Sequence, residues 1–377
     1  MPLTTYMDLV QHALDYLNAS TSPEMERAAR RSVQAAYQDI VNFKRWSYYM
    51  HEGRLATVAP YSTGTVVYTN STRELTLTGG TWPTWAARGV VRFSDVYYQV
   101  SERTSSTVIK LNSASNPGED VASTTFEIWR DCFSLPTDFQ SMGQVVIVGN
   151  SMMLDYIHPN DWLQSQRIYH GGSTPSIYTI TGDPDFQNGM AIRFFPFPDS
   201  AYTLAYLYQR RPRDLKILEE SAGTVSTTSG STTVTGSGTA FTSGMVGSVI
   251  RFGTTAVGDK PTGLSGAAPY HIERIITAYS SATSVTIDAD PGESLSSVVY
   301  SVSDPADLEP GAMTTFLYRS IEHHCRLIRR MPTTNVDEGR YRDALILAQE
   351  ADSRSFSPRL NGVTYYPQRL ADMPVTF

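Results

Sequence analysis

The sequence predicts an α+β chain. Helix pairs at its two ends form one antiparallel helical bundle, a β-rich middle holds two inserted sandwich- or barrel-like modules, and an extended C-terminal arm follows. Three observations predict it. Apolar residues recur at helical spacing in residues 1–47 and again in 305–355. Nearly everything between reads as short alternating runs separated by Gly, Asn or Ser. Two stretches of that middle open alike, as Gly64-Thr65-Val66 and Gly223-Thr224-Val225. Each then reaches a strand that ends in Arg-Phe, Gly89-Val90-Val91-Arg92-Phe93 and Gly247-Ser248-Val249-Ile250-Arg251-Phe252. Repeats at so long a period point to duplicated modules set into a host domain, not to a solenoid.

In the N-terminal pair (1–47), Thr5 followed by Asp8 has the form of a capping box, and Tyr6, Val10, Ala13, Leu14 and Leu17 then fall on one face. Ser22-Pro23-Glu24 restarts a helix with Ser as N-cap and Pro at the first helical position. Met25, Ala29, Val33, Ala36, Tyr37 and Ile40 form its stripe. The first β module (48–131) alternates in bursts such as Val66-Val67-Tyr68, Leu75-Thr76-Leu77 and Val108-Ile109-Lys110-Leu111, and its Trp82 and Trp85 are read as exposed aromatics. In the central β-rich core (132–220), Tyr202, Leu204, Tyr206 and Tyr208 alternate with polar or smaller residues, so that strand should bury one face. The second module (221–304) carries no charge between Glu220 and Arg251. Its Thr-rich runs keep strand propensity, so it reads as an exposed β insertion, not a linker. Its ends should lie close together and its surface should add little to the helices, so that a short linker could replace it. In the C-terminal pair (305–355), a helix near Pro310 aligns Met313, Leu317, Ile321, His324 and Ile328 before Met331-Pro332 stops it. Another opens with Asn335 and Glu338 and aligns Tyr341, Ala344, Leu345 and Ala348.

Composition narrows the function. The 377 residues are 41% hydrophobic and 11% aromatic, enough for two or three cored domains. Charged residues make up only 18% and Tyr (22) outnumbers Phe (14), a profile of β-rich structural proteins more than of α/β metabolic enzymes. A net charge of -7 argues against clamping nucleic acid by neutralising phosphates. It permits a surface along which DNA slides without being held. Cys132 and Cys325 lie far apart and outside any C-x-x-C pair, so buried thiols in a reducing compartment are expected, not a disulfide or a metal site. Met1-Pro2-Leu3-Thr4-Thr5 lacks the regions of a secretion signal and no uncharged apolar run could cross a bilayer, so the expectation is a protein that stays where it is made, with no membrane partner.

Catalytic patterns are weak. His323 and His324 are consecutive on a helix, point about 100° apart and have no ligand partner one turn on, so they read as core or interface histidines. Asp183-Pro184-Asp185 with Asn188-Gly189 lacks the bidentate Glu of a calcium loop and reads as a hairpin turn between the Tyr178 and Ile192 strands. Gly236-Ser237-Gly238 is followed by no Lys-Ser or Lys-Thr, and neither Gly-x-Ser-x-Gly nor His-Glu-x-x-His occurs. Nothing in the sequence sets two carboxylates face to face as a glycosidase needs. No enzyme, metal or cofactor is therefore expected.

The centre of the chain holds a series in fixed order. Phe133-Ser134-Leu135-Pro136-Thr137-Asp138-Phe139 is followed by Pro175-Ser176-Ile177-Tyr178-Thr179-Ile180, then by Phe195-Pro196-Phe197-Pro198-Asp199, and last by the Tyr202 strand with Arg210-Arg211-Pro212. Set between helix pairs, this series resembles the core of head-to-tail adaptor (connector) proteins of tailed bacteriophages, the ring beneath the portal in the virion neck. The resemblance covers the four terminal helices and the span from Phe133 to Arg213, and the two Gly-Thr-Val modules look like additions to it. It implies a structural virion protein, made in the host cytoplasm, that joins portal to tail as a ring of about twelve copies. It also implies a downstream tail or nozzle protein as partner, and a channel through which genome DNA passes without sequence-specific binding. A competing reading, a β-rich tail component that binds a receptor or carbohydrate, draws on the Thr-rich modules with Trp82 and Trp85.

Two sets of residues are candidates for partner contact. The segment 356–377 has no helical or strand period yet carries Phe356, Pro358, Tyr365, Tyr366, Pro367 and Phe377, with Arg359 and Arg369 among them. Such an arm is suited to a groove on the portal or a neighbouring subunit, as adaptor C-terminal arms are, or to its own subunit's surface. Arg27, Arg30 and Arg31 form one basic ridge, and Arg326, Arg329 and Arg330 crowd a helix end. They are read either as a solvated face and a helix-dipole partner or as contacts to acidic surfaces of a neighbour.

Overall fold

The computed structural model describes residues 3–18, 22–150, 153–166, 171–264, 266, 268–332 and 334–355. The chain is mixed α+β. It begins with α1 (Tyr6–Tyr16) and α2 (Pro23–Phe43). The strands β1 (Met50–Ala56), β2 (Thr65–Thr69), β3 (Glu74–Thr78), β4 (Gly89–Phe93), β5 (Val96–Arg103), β6 (Val108–Leu111), β7 (Val121–Thr124) and β8 (Glu127–Arg130) follow. The centre contains β9 (Cys132–Ser134), β10 (Phe139–Ile147), β11 (Asp155–Tyr156), the short α3 (Trp162–Gln166), β12 (Gly172–Ser173), β13 (Ile177–Gly182), β14 (Met190–Phe195), β15 (Phe197–Pro198) and β16 (Thr203–Arg210). Then come β17 (Thr224–Thr227), β18 (Thr233–Ser237), β19 (Val249–Phe252), β20 (Ile272–Ser281), β21 (Ser284–Ile287), β22 (Leu295–Val298) and β23 (Tyr300–Ser303), before α4 (Ala312–Arg329) and α5 (Asn335–Ser355). Contacts divide the chain into two units, Met1–Tyr48 with Pro212–Phe377, and Tyr49–Arg211.

The helix starts follow from local chemistry. Thr5 and Asp8 form the capping box, the Asp8 N–H donating to the Thr5 hydroxyl at 3.3 Å and the Thr5 N–H to the Asp8 carboxylate at 3.0 Å. Pro23 opens α2, but Ser22 makes no side-chain cap bond among the described residues. The start of α5 lies one residue earlier in its cap than expected. Thr334 and Asp337 exchange the box bonds at 3.3 Å, because Thr-x-x-Asp satisfies the same orphan amides as the Asn-x-x-Glu pair would. Arg330 closes α4 in the left-handed region, at φ 52°.

Apolar stripes then decide the packing. Leu9, Val10 and Ala13 of α1, Ala29, Val33, Ala36 and Ile40 of α2, and Met313, Leu317 and Ile321 of α4 are buried. Both α1 and α2 pack on α4, and α5 packs on α4 as well. Ile328, placed on the buried face by its spacing, is 40% exposed. Among the described residues no helix is long and apolar enough to cross a membrane.

The repeat seen in the sequence is a repeat of topology. The first sheet runs β7-β2-β3-β6-β5-β4-β8 and the second β22-β17-β18-β21-β20-β19-β23, so both read 6-1-2-5-4-3-7 when each is numbered from its own first strand. Register shifts recur at matching places, between Val66 and Tyr68 against β7 and between Val225 and Thr227 against β22. The shared glycine is required in both. Gly64 (φ 99°) and Gly223 (φ 77°) have left-handed backbones, and a Cβ would stand 2.3 Å from the Thr78 carbonyl oxygen in one and 2.2 Å from that of Ser237 in the other. Trp82 corrects the sequence reading. Its indole is 1% exposed inside the first core, and Trp85 packs against that core as well. The equivalent ring in the second module is Phe241, buried beside Tyr300 at 5.5 Å between centroids.

In the central region, a three-stranded sheet β1-β16-β10 and a four-stranded sheet β11-β13-β14-β9 bury Phe133, Phe139, Ile192, Phe194 and Leu204 together. The β16 strand buries Leu204, Tyr206 and Tyr208 on one face, as its alternation predicts. β13 and β14 form a hairpin, and Arg88 pins its turn through ion pairs to Asp183 and Asp185.

The ends of the second module are adjacent, since Glu220 and Val302 exchange backbone hydrogen bonds of 2.9 and 2.7 Å. Yet the module is no bystander to the helices. The Tyr6 N–H donates to the Asp304 carbonyl at 2.7 Å and the Met7 N–H to the Ser303 hydroxyl at 3.1 Å, so the end of β23 anchors the first turn of α1. Replacement of residues 223–302 by a short Gly-Ser linker keeps Ser303 and Asp304 but removes β19, which pairs with Ser303 and holds that end in place, and is therefore expected to loosen the first turn of α1. Hydrogen exchange should show Leu9 to Ala13 losing protection by at least tenfold, about 1.4 kcal/mol. Retained protection would mean that α1 is held by helix packing alone.

Candidate functional site

The six arginines singled out by sequence fall into different environments. On α2, Arg27 donates to the Pro23 carbonyl at 3.3 Å, Arg30 pairs with Glu26 one turn away, and Arg31 is exposed. These are solvent-facing charges. At the end of α4, Arg326 points inward across the helices. Its guanidinium lies over the Tyr16 ring at 5.6 Å, bonds the Pro332 carbonyl at 3.2 Å and pairs with Asp337, tying α4 to α1 and α5. Hydrogen bonds from Thr334, aided by the charge of Arg326, hold the Asp337 carboxyl below its ordinary range. Arg329 reaches Glu24 of α2 at 3.3 Å, and Arg330 is the left-handed cap. The arm residues Phe356, Pro358, Arg359, Tyr365, Tyr366, Pro367, Arg369 and Phe377 lie outside the described residues.

The histidine pair joins helices. His324 Nε2 is 2.8 Å from Asp39 on α2, and His323 stacks on Tyr341 of α5 with centroids 5.0 Å apart. Burial, with the neighbouring His324 charge, pushes the His323 imidazole below its ordinary value. Both cysteines are buried and unpaired, and burial raises the Cys132 thiol to about 11, leaving little thiolate at neutral pH. Among the described residues no group of three His, Cys, Asp or Glu side chains is placed to hold a metal ion.

A charged network in the helical unit was not legible as a site. Arg251, only 2% exposed, donates from both terminal nitrogens to the two Asp8 oxygens at 2.8 Å. Its Nε donates to Glu273 and an Nη to the Leu3 carbonyl, each at 2.9 Å. Burial lowers the basicity of this guanidinium, but Asp8 and Glu273 outweigh it and the net shift is upward. The clue lay in Val249-Ile250-Arg251-Phe252, a strand buried at every position, where a charge must have partners. A second node is Asp304, 1% exposed, which accepts from Arg213 at 2.8 Å, Ser248 at 2.7 Å and the backbone N–H groups of Lys216 and Ile217 at 2.9 and 2.6 Å.

Arg251 also forms part of the wall of an open cavity of about 1160 Å³. One face of α1 contributes Met7, Asp8, Gln11, His12 and Asp15, and one face of α4 contributes Thr315, Tyr318, Arg319 and Glu322. The chain between β19 and β20 closes it with Asp259, Lys260 and Leu264. Arg319 grips Glu322 at 2.8 Å, and Lys260 pairs with Glu219 at 2.7 Å. Burial raises the Glu322 carboxyl, but the hydrogen bonds and charges of His12 and Arg319 bring it below its ordinary value.

No known family model matches this chain, and no curated protein matches it.

Proposed function

We propose that the chain is a structural protein of the virion neck, a ring-forming head-to-tail adaptor that joins the portal to the tail and lines the path of the DNA. The observation that carries the reading is the packing of α1 and α2 against α4, which joins helices separated by the whole β-rich middle of the chain. That is the layout the adaptor resemblance implies, with the Phe133 to Arg213 series at its centre. In this reading the four helices form an antiparallel bundle, the two seven-stranded sheets are sandwich- or barrel-like insertions, and residues 356–377 are the docking arm. The exposed Arg27, Arg30 and Arg31 ridge, whose only named partners lie on α2 itself, faces outward to meet an acidic neighbour, while Arg326 serves the fold. The receptor- or carbohydrate-binding alternative is weakened, since Trp82 lies inside a core and Trp85 is partly buried against it.

Mixing the protein with portal should give a closed ring of about twelve subunits, seen as a complex by light scattering. A persistent species of monomer mass with no portal complex defeats the proposal. Truncation after Ser355 should leave the melting temperature within about 2 °C of the full chain and abolish stable attachment. Wild-type attachment by the truncated chain would remove the docking role of the arm without touching the ring assignment.

A further inference from the structure

We infer that α5 is held by an acid-sensitive latch, in which protonation of His323 loosens α5 from α4 while α1 and α2 keep their places. The geometry sets the contacts of α4 apart. Each neighbouring helix meets α4 at a histidine, α1 through His12 and Glu322 at 3.3 Å, α2 through Asp39 and His324 at 2.8 Å, and α5 through Tyr341 stacked on His323. A proton on His12 or His324 faces a carboxylate. A proton on His323 faces none that is unshared.

The charges around His323 are already matched to one another. Glu322 of α4 pairs with Arg319 at 2.8 Å, and on α5 Asp337 pairs with Arg326 and Glu338 with Arg342 at 3.5 Å. Asp39 of α2 belongs to His324, Tyr16 of α1 lies against Arg326, and Arg340 of α5 adds a further positive charge to the same wall. Among the described residues His323 makes only ring contacts, with His324 and Tyr341. Burial opposes a charge on it, as do His324 and Arg326; Glu338 and Asp39 favour one, and the net direction is downward from the ordinary 6.5. Cation–π attraction to the Tyr341 ring offsets part of that cost.

Little else holds α5 in place. Ala344 and Ala348 are its only fully buried apolar side chains among the described residues, whereas α2 buries Val33, Tyr37, Ile40 and Val41. Its polar anchors stay ionised near neutral pH. Hydrogen bonds from Thr334 keep Asp337 below its ordinary range, and at Asp352 burial is outweighed by Lys44 and Ser47, with the same result. Because the detached helix binds the His323 proton more readily than the docked one, docking is fully present above about pH 6.5 and is lost as the pH falls through the lower value of the folded state.

The inference does not rest on the neck assignment. Hydrogen exchange of the full chain at about pH 7.5 and about pH 5.5, corrected for the intrinsic exchange rate, tests it. Protection of Ala344 to Ala348 should fall about threefold at the lower pH, while Val33 to Ile40 of α2 keep theirs. His323→Gln, neutral throughout, should remove this dependence, and His12→Gln should leave it. Equal protection of α5 at both values, or an equal loss in α2, would overturn the inference on the wild-type chain alone, with no variant required to fold. Persistence of the dependence in His323→Gln, or its loss in His12→Gln, would overturn it as well.

Discussion

Arg251→Ala is expected to destabilise the helical unit by about 3–5 kcal/mol, because it leaves the largely buried Asp8 and Glu273 carboxylates without the cation they share. The arginine is 2% exposed, and four of its hydrogen bonds, at 2.8–2.9 Å, join β19 to β20 and to the first turn of α1. Arg251→Met, which keeps the stem and much of the volume, should lose nearly as much. The penalty comes from the stranded carboxylates, not from lost packing. Adding Asp8→Asn and Glu273→Gln to Arg251→Met should recover a large part of the loss, a coupling that urea unfolding of the four proteins would measure. A loss below about 1 kcal/mol for Arg251→Ala would mean that water reaches the carboxylates and the network does not anchor α1.

Trp82→Ala should cost about 3–5 kcal/mol in the other unit, the range for deleting a fully buried large aromatic side chain. The indole packs at 4.9 Å from the Phe126 ring and donates its N–H to the Thr107 carbonyl at 3.1 Å, so the substitution opens a void and orphans an acceptor. Thermal unfolding and limited proteolysis across residues 65–130 would report the effect. The same variant separates two roles for the module. A sugar-binding platform would tolerate the change with an unaltered melting temperature and lose only its ligand, whereas a core residue takes the sheet with it.

Short-range rules were readable from single stretches of sequence. The Thr5–Asp8 box, Pro23 at a helix start, the alternation of β16 and the hairpin at Asp183 each depend on residues within a turn or a strand of one another. The duplication was readable too, because Gly64 and Gly223 answer one local steric demand twice. Strand order was not, since pairing β4 with β8 or β19 with β23 brings together residues whose contact is announced by neither strand alone. Trp82 was misjudged for a related reason. Gly-Thr-Trp-Pro-Thr-Trp reads as a loop with aromatics, and only the sheet folded around it makes Trp82 a centre. The Arg251 network and the cavity required Asp8, Arg251, Asp259 and Glu322 to converge from α1, β19, a connecting loop and α4. One-dimensional patterns contain no term for that convergence, and an arginine in an otherwise buried strand was its single trace.

The joining of the first helices to the last sets an order for making this protein. Roughly 270 residues separate the end of α2 from the start of α4, so at ~5–20 residues per second the ribosome needs tens of seconds to supply the surface that covers Val33 and Ile40. Through that interval the amphipathic pair has its apolar stripes bare, while each seven-stranded sheet receives its full complement of strands within a short span of chain. The sheets can mature while α1 and α2 still wait for α4. Closure between helices so distant in sequence is a high-contact-order step with a large loop entropy to overcome, and it should limit the rate at which the chain becomes native. Until then the emerging polypeptide offers chaperones a defined client surface, the uncovered faces of α1 and α2.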